Sequence, residues 1–168
     1  GYGYYNLRDY ALADKKAGIE QLAARHAYID LNRVGIYGHS GGGFLTAAAM
    51  LLPPYNEFFK VGVSESGNHD NNIYNENWSE QYHGLKVIAK KDDKSKKAAA
   101  TDGTEPDEMA DSTFQIHVPT TVDLAPNLKG NLLLETGDMD NNVHPANTVR
   151  LVNALIKANK RFDYMVLP

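Results

Sequence analysis

The sequence predicts an α/β protein in which parallel strands are joined by helical crossovers. Three observations predict it. Short apolar runs of strand type alternate with segments of helical period, in the order strand, helix, strand, polar loops, strand, helix, strand. Dense polar loops follow directly on strands, at 65–72 and 137–145, where ligands meet an open α/β sheet. At 168 residues the chain is one domain's worth, long enough for a core, with 42% hydrophobic and 23% charged residues as in ordinary globular proteins.

The elements follow in order. Residues 1–6 read as loop. Ala11 to about His26 reads as a helix with Leu12, Ile19, Leu22, Ala23 and His26 near one face; His26 reads as a cap or packing residue. Asp30-Leu31-Asn32 turns into a strand at Val34–Tyr37. A helix of small residues then runs to about Leu51, where Pro53-Pro54 stops it. Phe58–Ser64 reads as a strand in which apolar Phe59, Val61 and Val63 alternate with small or polar neighbours. After the polar turn Glu65–Asn72, the stretch Ile73–Gly84 carries Tyr74, Trp78 and Tyr82 at spacing four. Such a stripe is more often core, but its place one loop after a strand fits a pocket wall. From about 86 to 112 a mixed charge run, alanines and an acidic stretch predict a solvated, mobile surface insertion. A short helix is expected near Thr121–Asn127, and His117 before it has no partner visible in sequence. Asn131–Thr136 reads as a strand, Asn147–Ala158 as a helix with Val149, Leu151, Val152, Leu155 and Ile156 at helical spacing, and Phe162–Leu167 as a last strand.

Bulk properties exclude several classes. A net charge of −4 offers no basic footprint for nucleic acid or an anionic membrane surface. The absence of cysteine rules out disulfides, thiolate metal sites and a cysteine nucleophile. No apolar stretch is long enough to span a membrane. Both ends read as cut, the last on a strand-like run, so the chain is expected to be a piece of a longer protein.

The chemistry centres on Gly38-His39-Ser40-Gly41-Gly42, placed between a strand and a helix. It matches Gly-x-Ser-x-Gly, the nucleophile elbow of α/β-hydrolases. The serine there takes a strained backbone conformation that exposes its hydroxyl, and a Cβ two residues to either side is expected to collide with the turn. The helix that starts at once aims free N–H groups at the developing oxyanion, with the Gly41 N–H as one donor. A phosphate-cradling turn is the competing reading, but it would want Gly-Lys-Ser/Thr, and no lysine lies between Arg33 and Leu51.

A serine elbow needs a base and an orienting carboxylate. The loop after 131–136 offers Asp138 and Asp140, and loop position alone does not choose between them; ordinary turn aspartates are the bland reading. The base should follow the strand 162–167 and therefore lies beyond Pro168. Among the six histidines, His144 is too close to Asp140, His39 points away from its neighbouring serine, and His69 and His83 precede the acid. His69-Asp70 diverge as neighbours and have no evident third ligand, so neither metal nor cofactor is expected.

With these parts placed, the chain resembles the catalytic domain of the prolyl oligopeptidase family, near the dipeptidyl peptidase IV branch and its bacterial members. Residues 30–43, the run from Gly67-Asn68-His69-Asp70 through Tyr74, Trp78, Glu80, Tyr82 and Gly84, and Gly137–Pro145 carry the resemblance. It implies Ser40 as nucleophile and Asp140 as triad acid, two residues before the Asn of the Asn-Val pair. It implies Asn142 as a hydrogen-bonding partner of the substrate backbone. Tyr74, Trp78 and Val143 are implied as a pocket for a proline side chain, with Trp78 standing where a tyrosine is common. His144 matches a family histidine that is not the base. The oxyanion tyrosine, a β-propeller and the glutamates that bind a free amino terminus would precede Gly1. A peptide substrate, a homodimer and a periplasmic or secreted location are further implications. An esterase on the same fold and a non-catalytic relative that binds through it are the alternatives.

Overall fold

In the computed structural model the described residues are 6–84, 86–89, 112–115 and 118–168. The charged stretch 90–111, His117 and residues 1–5, where a loop is expected, lie outside them. Helix α1 spans Leu12–Arg25, strand β1 Gly35–His39, helix α2 Gly41–Leu51, and the single turn α3 Tyr55–Phe58. Then come β2 (Val61–Glu65), α4 (Glu76–His83), β3 (Lys86–Ala89), β4 (Ser112–Gln115), β5 (Asn131–Gly137), α5 (Ala146–Lys157) and β6 (Asp163–Leu167). The expected helix at 121–127 is a 3-10 helix over Val122–Asn127.

β1, β2, β5 and β6 form one sheet in that order, and every pair in it is parallel. The register sets His39 beside Glu65 and Glu65 beside Glu135. The ladder continues past the strand ends: Ser40 N–H donates to Glu65 O (2.9 Å), Ser66 N–H to Glu135 O (2.8 Å) and Asp138 N–H to Leu167 O (2.8 Å). The carboxyl ends of the strands are thereby level, and Ser40, Ser66 and the loop after β5 leave the sheet at one edge. This is the edge where an open α/β sheet assembles a site.

α2 is buried along almost its whole length, and it packs on β1, β2, α3 and the 3-10 turn. Its alanines let it approach the sheet closely. That approach sets which residues of β2 turn inward, and the strand starts at Val61, later than the expected Phe58. Gly62 and Ser64 are the buried positions of β2, Val61 is 48% exposed, and Phe58 and Phe59 precede the strand. The cause is space: a Cβ on Gly62 would stand 2.5 Å from Met50 Cγ. Small residues therefore face α2, and the valines take the other side. The core continues through Phe59, Ala125, Leu128, Leu132, Leu134, Leu151 and Leu155. Leu151 and Leu155 are fully buried on α5, each contributing about 1.5–3 kcal/mol of burial.

α1 covers less than its apolar spacing allows: Leu12 is buried, Ile19 packs on the core, and Leu22 is 49% exposed. His26 caps its end with a backbone bond to Leu22 O, and its exposed ring lies against Tyr28. The predicted insertion opens and closes on an antiparallel pair, with Lys86 opposite Gln115 and Ala89 opposite Ser112.

Candidate active site

Ser40 joins β1 to α2 with φ 57° and ψ −120°, a conformation that side-chain-bearing residues avoid. Its neighbours impose it. Its N–H is held by Glu65 O and its carbonyl by the Phe44 N–H (3.0 Å). A Cβ on Gly38 would meet Gly42 O at 2.4 Å, and one on Gly43 would meet Glu65 O at 2.6 Å. A Cβ on Gly42 meets nothing within 4 Å. The steric demand thus falls on Gly38 and Gly43, and the expectation that Gly42 is equally crowded is corrected: Gly42's own Cβ direction leads into open space. Gly41 opens α2, so its N–H has no intrahelical acceptor and stands at the positive end of the helix beside Ser40.

Asp140 and Asp138 differ in their surroundings. Asp138 is exposed. Asp140 Oδ1 accepts the N–H groups of Val143 (2.9 Å) and Asn142 (3.0 Å). Burial alone pushes the Asp140 carboxyl up; the Val143 N–H, the Ser66 hydroxyl and the Asn142 N–H outweigh it, with a smaller attraction from His39, and hold it below the usual range. Ser66 is the site residue that sequence reasoning missed. It is buried, with φ 44°, at the end of β2. Its place in a polar turn after a strand was visible, but nothing in the residue type announces a positive φ.

Tyr74 and Asn142 meet: the Tyr74 hydroxyl donates to Asn142 Oδ1 at 3.0 Å. Tyr74 and Trp78 lie edge to face at 5.6 Å between ring centres, and Trp78 continues to Tyr82 at 5.1 Å. Asn75, whose Oδ1 accepts the Trp78 N–H at 3.4 Å, starts α4 between them. Tyr74 and Trp78 are half-buried, and Tyr82 is 45% exposed, so the stripe is a surface wall and not core. Val143, on the Asp140 loop, is buried.

Among the described residues no histidine ring hydrogen-bonds Ser40 or Asp140. His39 is exposed, with Nδ1 3.4 Å from Glu65 Oε2. His69 is fully buried, with Nδ1 3.2 Å from Thr121 Oγ1, and burial pushes its pKa down to about 3. His83 is buried against Trp78, and burial pushes it down to about 4. His144 is exposed and accepts the Ala146 N–H. His69 and Asp70 do diverge: His69 turns to Thr121, and Asp70 pairs with Arg150.

A parallel sheet with crossover helices and a strained serine at a strand-to-helix turn define an α/β-hydrolase fold. The model of the prolyl oligopeptidase family matches residues 2–168, and the chain belongs to that family of peptidases. It is similar to dipeptidyl peptidase 8 of Homo sapiens, 27% identical over 164 residues, which cover 98% of this chain and 16% of that protein. It is also similar to the inactive dipeptidyl peptidase 10 of Rattus norvegicus, 29% identical over 159 residues, covering 92% of this chain and 16% of that one. Among solved structures, dipeptidyl peptidase 4 of Porphyromonas gingivalis superposes with a TM-score of 0.72 at 26% identity, covering 98% of this chain and 20% of its own. The chain thus spans about a sixth of the length of the curated relatives it matches. No helix among the described residues is long and apolar enough to cross a membrane.

Proposed function

We propose that the protein carrying this chain is a serine peptidase of dipeptidyl peptidase type, cleaving after proline or alanine near a peptide's amino terminus. The observation that carries the reading is the Ser40 backbone, held at φ 57° between the crowded Gly38 and Gly43. Such strain persists only where the surroundings enforce it, and here it presents a hydroxyl at the head of a helix. Ser40 Oγ attacks the scissile carbonyl. A histidine beyond Pro168, in the loop after β6, takes its proton, and Asp140 holds that histidine in the productive tautomer. The Gly41 N–H stabilises the oxyanion with a second donor from outside residues 1–168. Tyr74, Trp78 and Val143 receive the proline side chain. Asn142 already accepts the Tyr74 hydroxyl through Oδ1, which leaves its Nδ2 free to donate to a substrate carbonyl. The rest of the polypeptide supplies a β-propeller that gates entry and the acids that bind the free amine.

The test compares release of a chromophore from Gly-Pro with a free and with a blocked amino terminus, using the full-length protein and a Ser40→Ala control. Cleavage of the free form alone is expected. Cleavage of both forms makes it an endopeptidase. A second reading, a binding relative without catalysis, is favoured by the likeness to the inactive dipeptidyl peptidase 10. It would be selected by a full-length chain with no histidine after β6 and no turnover of either substrate, whereas an esterase would show turnover of simple acyl esters alone.

A further inference from the structure

The loop that follows β2 carries the aromatic wall, and the loop that follows β5 carries Asp140, Asn142 and Val143. Across the mouth of the site the two are joined by the Tyr74 hydroxyl on Asn142 Oδ1, an exposed contact that competes with water. Behind the site they are joined by something of a different kind. Asp70 is 4% exposed, and its Oδ2 receives at 2.9 Å the guanidinium of Arg150, whose side chain is itself 53% exposed. Its Oδ1 accepts both the N–H (3.1 Å) and the side-chain amide (3.0 Å) of Asn72. Its own N–H donates to Asn147 Oδ1 at 3.1 Å. Asn147 is buried, and its backbone N–H donates to His144 O at 2.9 Å, directly after Val143. Asn72 in turn exchanges two hydrogen bonds with the backbone of Val118, at 2.8 and 2.9 Å. One buried carboxylate therefore ties the start of the wall segment to the first turns of α5, and α5 follows directly on the acid loop.

We infer that Asp70, acting with Arg150 and Asn147, is a positioning residue that sets the spacing between the aromatic wall and Asn142. The inference rests on the peptidase reading above and concerns the same pocket. Tyr74 lies two residues past Asn72, and Asn142 and Val143 lie just before His144, so a shift of the clamp is passed to both sides of the pocket over short, turn-bound spans. Ser40 is held to β2 by its N–H on Glu65 O, and Gly43 of α2 accepts the Ser64 hydroxyl at 2.8 Å; neither bond involves Asp70, Asn147 or Arg150. The consequence is selective. Loosening the clamp impairs the fit of a peptide side chain and leaves the nucleophile's intrinsic reactivity unchanged. Removing Arg150 alone also strands a buried carboxylate, which is worse than removing both partners.

The experiment uses the full-length protein, with active sites counted by a small fluorophosphonate that phosphonylates Ser40 Oγ with loss of fluoride and does not fill the pocket. Arg150→Met, Arg150→Lys, Asp70→Asn and the double variant Asp70→Asn with Arg150→Met are compared on the free-amine Gly-Pro chromophore. Arg150→Met is expected to raise KM roughly tenfold. Turnover per counted site and the fluorophosphonate labelling rate should stay within about twofold. Arg150→Lys should restore most of the KM, and the double variant should lie closer to Asp70→Asn than to Arg150→Met. A lower melting temperature with unchanged KM in every variant that folds would overturn the inference, as would a labelling rate that falls in step with peptide turnover. If Arg150→Met does not fold, Asp70→Asn decides by the same KM criterion. Absence of dipeptide cleavage by the unsubstituted enzyme overturns the peptidase reading and this inference together; cleavage that the variants leave unaltered overturns this inference alone.

Discussion

The Ser40 side of the site and the Asp140 side are built by different means. Ser40 is placed by backbone: its N–H and carbonyl are both committed, and Gly38 and Gly43 fit against main-chain atoms with no room for a Cβ. Asp140, Asn142 and Tyr74 are placed by side-chain hydrogen bonds between segments far apart in the chain, from Ser66, Asp70, Asn147 and Arg150. A backbone-built turn has no graded adjustments, because any added atom meets main chain. A site side built by side chains can lose one bond and shift by a small amount without unfolding. On the proposed peptidase reading, the first suits a step that every acyl transfer shares, the second a pocket that must match one substrate.

The sharpest break between the two is Asp140→Asn in the full-length enzyme. Asparagine retains an oxygen for the Val143 and Asn142 N–H groups, so the loop keeps its form. It replaces the other oxygen by a donor, which cannot hold the base's N–H. Turnover should fall about 10³–10⁴-fold while melting temperature and fluorophosphonate site count change little. Asp138→Asn, on the exposed neighbour, should leave turnover unaltered; equal losses in both would remove Asp140 from its role.

The backbone side should fail by unfolding. Gly38→Ala places a Cβ 2.4 Å from Gly42 O, and Gly43→Ala one 2.6 Å from Glu65 O. Neither obstacle is the tip of a flexible side chain, so the turn itself must move. Each is expected to cost about 3 kcal/mol, at the upper end of overpacking, and to abolish labelling of Ser40. Thermal melting with labelling of the same samples checks both, and either variant retaining full labelling would show that the elbow has slack.

Acid should act on the polar interior behind both sides. His69 and His83 are buried and neutral, with pKa values lowered to about 3 and about 4 from 6.5. For a histidine whose folded pKa is depressed, the unfolded chain takes up a proton first as pH falls. Stability is therefore intact above about 6.5 and is lost on the way down to the folded pKa. Between pH 6.5 and 5 the loss for a fully depressed histidine is about 2 kcal/mol. His69→Gln should flatten that fall in the melting temperature, and an unchanged pH profile would mean that His69 is charged in the folded protein. The Asp140 pKa is also lowered, but for a carboxylate the effect on stability has the opposite sign: its contribution is present above 3.8 and is lost as pH falls below it, outside this window.

The same division decides what could be read from sequence. The elbow was legible because its cause is local: glycines around a serine, strand before and helix after. Asp138 and Asp140 were not separable by loop position, because the difference lies in Ser66, in another loop, and in bonds within a turn whose shape the sequence does not state. The apolar alternation of β2 did not say which face meets a helix: α2 lies so close that Gly62 and Ser64 turn inward and the valines turn away. Asp70 was visible only as the neighbour of a histidine. Its partners stand on α5, and charge pairing across the fold has no signature in spacing.

The smallest effect tests whether the motif or the geometry describes the elbow better. The pattern Gly-x-Ser-x-Gly treats Gly38 and Gly42 as equivalent. In the structure Gly42 contributes backbone against which a Cβ at 38 would collide, but its own Cβ direction is empty, and it sits in the first turn of α2. Gly42→Ala adds a methyl to open space and removes the entropy that glycine loses in a helix. It should leave the melting temperature unchanged or raise stability by up to about 0.5–1 kcal/mol. Labelling of Ser40 by the small fluorophosphonate should persist. A destabilisation matching that of Gly38→Ala would mean that the turn opens in solution far enough to bring Gly42 against the sheet, and the backbone-built side would then be less rigid than its contacts imply.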